Sequence, residues 1–119
     1  MRHRWIVFAA SILILAGGCA RTERDSVIAT EIERQVTAMR PDVKPHRYAR
    51  FYAHDVLGSV RSTWVIPEGY SPLFGRPGTT SWVAVADLPI INDGGCTVIE
   101  INYISLTNEV WSVECGGSG

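Results

Sequence analysis

The chain reads as an α+β protein, with one N-terminal helix packed on a five-stranded antiparallel meander. Three observations predict this. Apolar residues recur at helical spacing between positions 22 and 40. From position 46 onward they fall instead into short runs bounded by Gly, Pro, Asn and Asp. One helix followed by consecutive strands is the order of a helix laid across one face of a sheet.

The helix is expected from Thr22 to Arg40. Ile28, Ile32, Val36 and Met39 form a single apolar stripe, and Glu31, Glu33, Arg34 and Arg40 lie off it. Thr22 and Asp25 suit a capping box with Asp in place of Glu. Glu23 and Asp25 match the positive N-terminal end, Arg40 matches the negative C-terminal end, and Pro41 stops the helix. A domain this small has few apolar faces to spare, so the stripe is expected to cover the chain's own sheet.

The first strand is expected from His46 to Ala53. Ala49, Phe51 and Ala53 share one face, and His46, Tyr48, Arg50, Tyr52 and His54 share the other. Gly58 separates it from a second strand, Val60 to Ile66, which Pro67 ends. Pro67 to Thr80 is a loop with three prolines and three glycines, carrying Tyr70, Leu73 and Phe74. Its length exceeds the usual connection. Ser81 to Leu88 is apolar on both faces, which predicts a central strand covered on both sides. Pro89 to Gly95 is a turn region, and Thr97 to Ser105 and Glu109 to Cys115 form a closing hairpin.

That hairpin can be read for register. A Leu106-Thr107-Asn108 loop with Asn108 left-handed pairs Ser105 with Glu109, Tyr103 with Trp111, Ile101 with Val113 and Ile99 with Cys115. The last three pairs are apolar, which disfavours a slip by one residue. Cys96 then lies about 10 Å from Ile99 along the strand and on the opposite face. A Cys96–Cys115 disulfide needs Cα atoms within about 7 Å, so Cys96 must leave the ladder. Gly94-Gly95 supplies the bend. This order of elements is similar to that of cystatin-like and related helix-on-sheet folds, a resemblance that implies architecture alone.

The first twenty residues carry an address. Arg2 and Arg4 precede an apolar run, Trp5 to Ala16, that contains one polar side chain, Ser11, and ends in small residues. That is the layout of a secretory signal, and the run is short of the ~20 residues needed to span a bilayer. Leu15-Ala16-Gly17-Gly18-Cys19 resembles the lipobox of bacterial lipoproteins. The resemblance is confined to this segment and departs from the pattern at Ala16, where leucine is usual. It implies removal of residues 1–18, lipidation of Cys19, and a mature domain over 19–119. Ala20 after the cysteine implies sorting to the outer membrane, facing the periplasm. Ordinary cleavage after Ala20, with Cys19 discarded, is the alternative. Three cysteines leave an even pair, Cys96 and Cys115, once Cys19 is lipidated. An oxidising periplasm would let that pair join.

Composition excludes some functions. Without Arg2 and Arg4, nine Lys+Arg stand against twelve Asp+Glu, a net charge of −3. No basic stripe suggests nucleic acid. His46 and His54 stand ~26 Å apart along a straight strand and cannot share a metal ion. Asp55 adjoins His54 and points to the other face, and no nucleophile-elbow, zinc-helix or phosphate-loop motif occurs. No enzyme, cofactor or metal is expected.

Two regions suit partner binding. One is the Tyr48, Arg50, Tyr52 face, whose bland reading is a solvated sheet face with aromatics packed crosswise on their neighbours. The other is the Tyr70, Leu73, Phe74 loop. Trp64, Trp82 and Trp111, one per strand, are expected as core filler. The expectation is a lipid-anchored cell-envelope protein acting by binding to an envelope protein or cell-wall partner. The alternative is a secreted inhibitor-like module that blocks an envelope hydrolase through the 67–80 loop.

Overall fold

The structure is a computed structural model that describes residues 22–67, 74–92 and 94–116. The chain divides into two compact units, Met1–Glu31 and Ile32–Gly119. In the first, residues 22–31 are helical, so residue 22 is already inside a helix. In the second, residues 32–39 are helical and five strands form one sheet. These are β1 (Ala49–His54), β2 (Ser59–Val65), β3 (Thr80–Trp82), β4 (Gly95–Ile104) and β5 (Glu109–Gly116), in spatial order β3-β1-β2-β4-β5.

The α+β class holds, but the sheet is mixed and is not a pure meander. β1–β2, β2–β4 and β4–β5 are antiparallel, whereas β3 lies parallel to β1. The segment read as a central strand, Ser81 to Leu88, supplies only two residues of a three-residue edge strand, Thr80–Trp82. Its remainder turns into a 3-10 segment, Val85–Asp87, in which Ala86 and Asp87 are exposed. A short apolar run does not reveal by composition whether it is strand or turn. The long connection after β2 lets β3 bypass β1 and pair on its outer side.

Alternation and pairing divide the sheet into two faces. Arg50, Trp64, Ile99 and Cys115 line up across β1, β2, β4 and β5, and so do Tyr52, Ser62, Ile101 and Val113. The helical segment 32–39 serves this face. Ile32 and Val36 are fully buried, as are Tyr52, Trp64, Ile99 and Tyr103. Met39, expected in the stripe, is half exposed, and Val43 beyond Pro41 is buried in its stead.

The helical segment is tied down at both flanks. Glu33 Oε1 lies 2.5 Å from Arg50 Nε on β1. Gln35 donates from Nε2 to Asn108 O at 2.7 Å and accepts at Oε1 from Val110 N, also at 2.7 Å. The same side chain thereby bridges the β4–β5 turn and the start of β5.

The closing hairpin keeps half of the expected register. Ile101 pairs with Val113 and Ile99 with Cys115. Nearer the turn the register shifts, so that Tyr103 pairs with Val110 and Ile104 with Glu109. The turn takes four residues, 105–108, and Asn108 is left-handed with φ 56°. A bulge between Asn102 and Tyr103 accommodates Trp111.

A second irregularity lies between Gly95 and Ile99, where β4 has three residues with no counterpart on β5. Cys96 leaves the ladder there, with Gly95 at φ 54°, and comes to disulfide distance of Cys115. The S–S distance is 2.00 Å and the Cα–Cα distance 4.5 Å.

Candidate functional site

The polar-aromatic face of β1 is the densest array of chemistry-bearing side chains, and it turns inward. Tyr48 and Tyr52 are 5% and 0% exposed, so neither belongs to an exposed binding surface. This corrects the expectation of a partner-facing array at the two tyrosines, whose rings pack crosswise on neighbouring strands. Tyr48 donates to Cys96 O at 3.0 Å and packs on Trp64 with ring centroids 6.0 Å apart. Tyr52 stacks on Trp82 at 5.2 Å, and Trp82 stacks in turn on exposed His54 at 4.7 Å. The Arg50 side chain is only 11% exposed. Besides Glu33, its guanidinium donates to Pro45 O, to Gly78 O at 3.4 Å and to Thr80 Oγ1 at 3.2 Å. Arg50 therefore fastens the β1 entry, β3 and the helical segment together and presents little free charge.

Under the helical segment, Tyr52 Oη and Trp64 Nε1 are buried with no hydrogen-bond partner among the described residues. Burial pushes the Tyr52 phenol well above its usual range, and the nearby Glu33 carboxylate adds to the rise. The Arg50 guanidinium and Trp64 Nε1 oppose it, though neither is aligned as a hydrogen bond. Burial also raises Tyr48. Phenols held neutral in this way are poorly placed as bases at neutral pH.

The other sequence candidates are dispersed. Tyr70 and Leu73 of the loop, and the lipidation candidate Cys19, lie outside the described residues. Phe74 is half-buried in a 3-10 turn. On the face opposite the helical segment, Arg61, Thr63, Glu100 and Asn102 rim a shallow polar depression. Arg61 faces Asp55 at 3.8 Å, and Glu100 stands directly across from Glu114. No group of three or more His, Cys, Asp or Glu among the described residues could hold a metal ion. Thr63 stands opposite Glu100 there, and the depression offers polar contact to a ligand or partner.

Sequence reasoning missed the exposed apolar residues. Trp111, expected in the core, is 71% exposed, because the bulge takes it out of the ladder. Leu57 is 98% and Leu106 92% exposed, each at a turn between strands. A signal was present in both cases: an aliphatic side chain stands where turn chemistry favours Asn, Asp or Gly. Glu33 and Gln35 were also overlooked as bridging groups. Both flank the apolar stripe, where a long side chain can reach sideways to a neighbouring strand.

No protein-family model, curated protein or solved structure matches this chain.

Proposed function

We propose that the chain is a lipid-anchored cell-envelope protein that acts by binding an envelope protein or cell-wall partner. The observation that carries this reading is that Cys96 and Cys115 come together, with Cα atoms 4.5 Å apart. Of three cysteines, it leaves Cys19 as the odd one, at the end of a segment that resembles a lipobox. Disulfides persist in oxidising compartments, which agrees with export. Outer-membrane placement facing the periplasm follows the resemblance at Cys19-Ala20. Among the described residues no helix is long and apolar enough to cross a membrane. The membrane attachment proposed here is the lipid at Cys19.

Binding is favoured over catalysis by the disposition of side chains. On β1 the Tyr52 phenol is buried, and His54, though exposed, is stacked on Trp82. By contrast Trp111 is largely exposed on β5, a strand at the edge of the sheet. An exposed tryptophan beside unpaired strand backbone suits a protein or glycan contact. The loop bearing Tyr70, Leu73 and Phe74 is the second surface proposed for such a partner.

Two experiments test the reading. Cys19→Ser is expected to abolish membrane fractionation, with intact-mass analysis of the wild type showing an acylated Cys19. An unmodified N-terminus at Arg21 would overturn the anchor. A photoreactive side chain at position 111 in intact cells is expected to capture a recurrent partner. Capture no greater than at Thr107, which is exposed in the β4–β5 turn, would overturn a binding role for β5.

A further inference from the structure

We propose that the turn end of the sheet is a bilayer-contacting tip, in which Val56, Leu57 and Leu106 dip into the lipid interface. The inference rests on the envelope-anchor reading for its setting and extends it to the folded domain. The three side chains are 72%, 98% and 92% exposed. They belong to two turns that adjoin, since Ser105 N donates to Gly58 O at 3.0 Å.

Leu57 is the informative residue. It sits at φ 59°, ψ 32°, a left-handed conformation that disfavours a side chain of its size. Nothing in packing repays this, because the side chain is almost wholly bare. The conformation is nonetheless enforced. Asp55 accepts from Val56 N at 2.8 Å, Ser59 Oγ donates to Val56 O at 2.8 Å, and Asp55 N donates to Ser59 O at 2.8 Å. Glycine or asparagine would fit this position better for folding, so the leucine points to a use outside the fold.

The chemistry fits a lipid surface better than a protein groove. The exposed groups are aliphatic and project from convex turns, and they include neither the aromatic nor the arginine anchors typical of protein hot spots. Asp55 and Ser59, which flank Val56, Leu57 and Gly58, are engaged within their turn, and Leu106 stands between the small hydroxyl side chains of Ser105 and Thr107. A fluid hydrocarbon boundary accepts convex aliphatic knobs without a matching cavity. Chain length agrees. Gln35 is fastened to this same end through Asn108 and Val110. Positions 19 and 35 are 16 residues apart. Even a fully extended stretch of that length reaches no more than about 55 Å. A lipid at Cys19 would stand no more than that length of chain from Gln35.

The test places a photoreactive side chain at position 57, 106 or 90 of the full chain in cells and measures phospholipid adducts. Ile90 is 82% exposed but lies elsewhere, in the stretch between β3 and β4, and serves as control. Positions 57 and 106 are expected to exceed position 90 by about tenfold, the ratio that burying two leucines can readily supply. Equal yields at all three positions, or adducts at 57 and 106 to a protein, would overturn the inference. The N-terminal peptide of the same samples is weighed separately. An acylated Cys19 with equal yields removes the tip and keeps the anchor. An unmodified N-terminus with strong adducts at 57 and 106 removes the anchor and keeps the tip.

Discussion

The two ends of the sheet treat their side chains in opposite ways. At the disulfide end, tyrosines and an arginine are drawn inside. Tyr48 and Arg50 enter the sheet there, beside Cys96 and Cys115, and their polar atoms are met by Cys96 O, Pro45 O, Gly78 O and Glu33. At the turn end, aliphatic side chains stand bare at Val56, Leu57 and Leu106. Residue type alone would assign the two ends the other way round. Burial follows what covers a position and whether its polar atoms find partners there. Arg50 is tolerable inside because most of its donors are engaged. Leu57 is outside because it lies at the apex of a tight turn, where nothing can cover it.

Perturbing the disulfide end should do most harm. Arg50→Ala removes the shared partner of Glu33, Pro45, Gly78 and Thr80, and should cost about 3 kcal/mol in denaturant melts, as expected for breaking a largely buried ion pair. A loss below ~1 kcal/mol would mean that solvent replaces those contacts. Reducing the Cys96–Cys115 pair, whose sequence separation is 19, should cost a similar ~3 kcal/mol by freeing the unfolded chain. Thermal melts with and without reductant read this directly.

Alkali should act at the same face with a smaller effect. The folded-state pKa values of Tyr52 and Tyr48 are raised by burial. Their contribution is therefore complete below about pH 10, where the unfolded phenols are still neutral, and is lost as pH climbs from there. Stability should fall above about pH 10, and Tyr52→Phe should flatten that fall. Because Tyr52 Oη is buried without a partner, the phenylalanine should also be neutral or stabilising at pH 7. A Tyr52→Phe loss of more than ~1 kcal/mol at neutral pH would reveal a hydrogen bond to that hydroxyl.

The turn end should respond least, and with the reverse sign. Leu57→Asn suits the left-handed backbone and should raise stability by ~1 kcal/mol, a Tm gain of a few degrees for a domain of this size. If Leu57→Asn instead destabilises, the leucine packs against something in solution, and the contrast between the two ends weakens.

Much of the architecture is legible in the chain. Alternation from Ala49 to His54 marks a strand, Pro41 ends a helix, Asn108 marks a left-handed turn, and the pairs Ile101–Val113 and Ile99–Cys115 follow from matching apolar residues. Other features are illegible for identifiable reasons. The run from Ser81 to Leu88 has no periodicity to separate strand from turn, so its short length and its parallel partner were hidden. Beside the bulge that expels Trp111, Val110 N donates to Gln35 Oε1, 75 positions away in sequence. The candidate surfaces are less legible still, because Tyr48 and Tyr52 carry the same side chains whether they face solvent or a helix.

The sequence by itself determined the helix, four of the five strands, the odd number of cysteines and the resemblance at Cys19, because periodicity, turn residues and small-residue patterns act over a few neighbouring positions. Only the tertiary structure decided which face of β1 is covered, where β3 pairs and which apolar residues remain outside. Those outcomes depend on partners dozens of residues away, and local pattern carries no information about which of them will arrive.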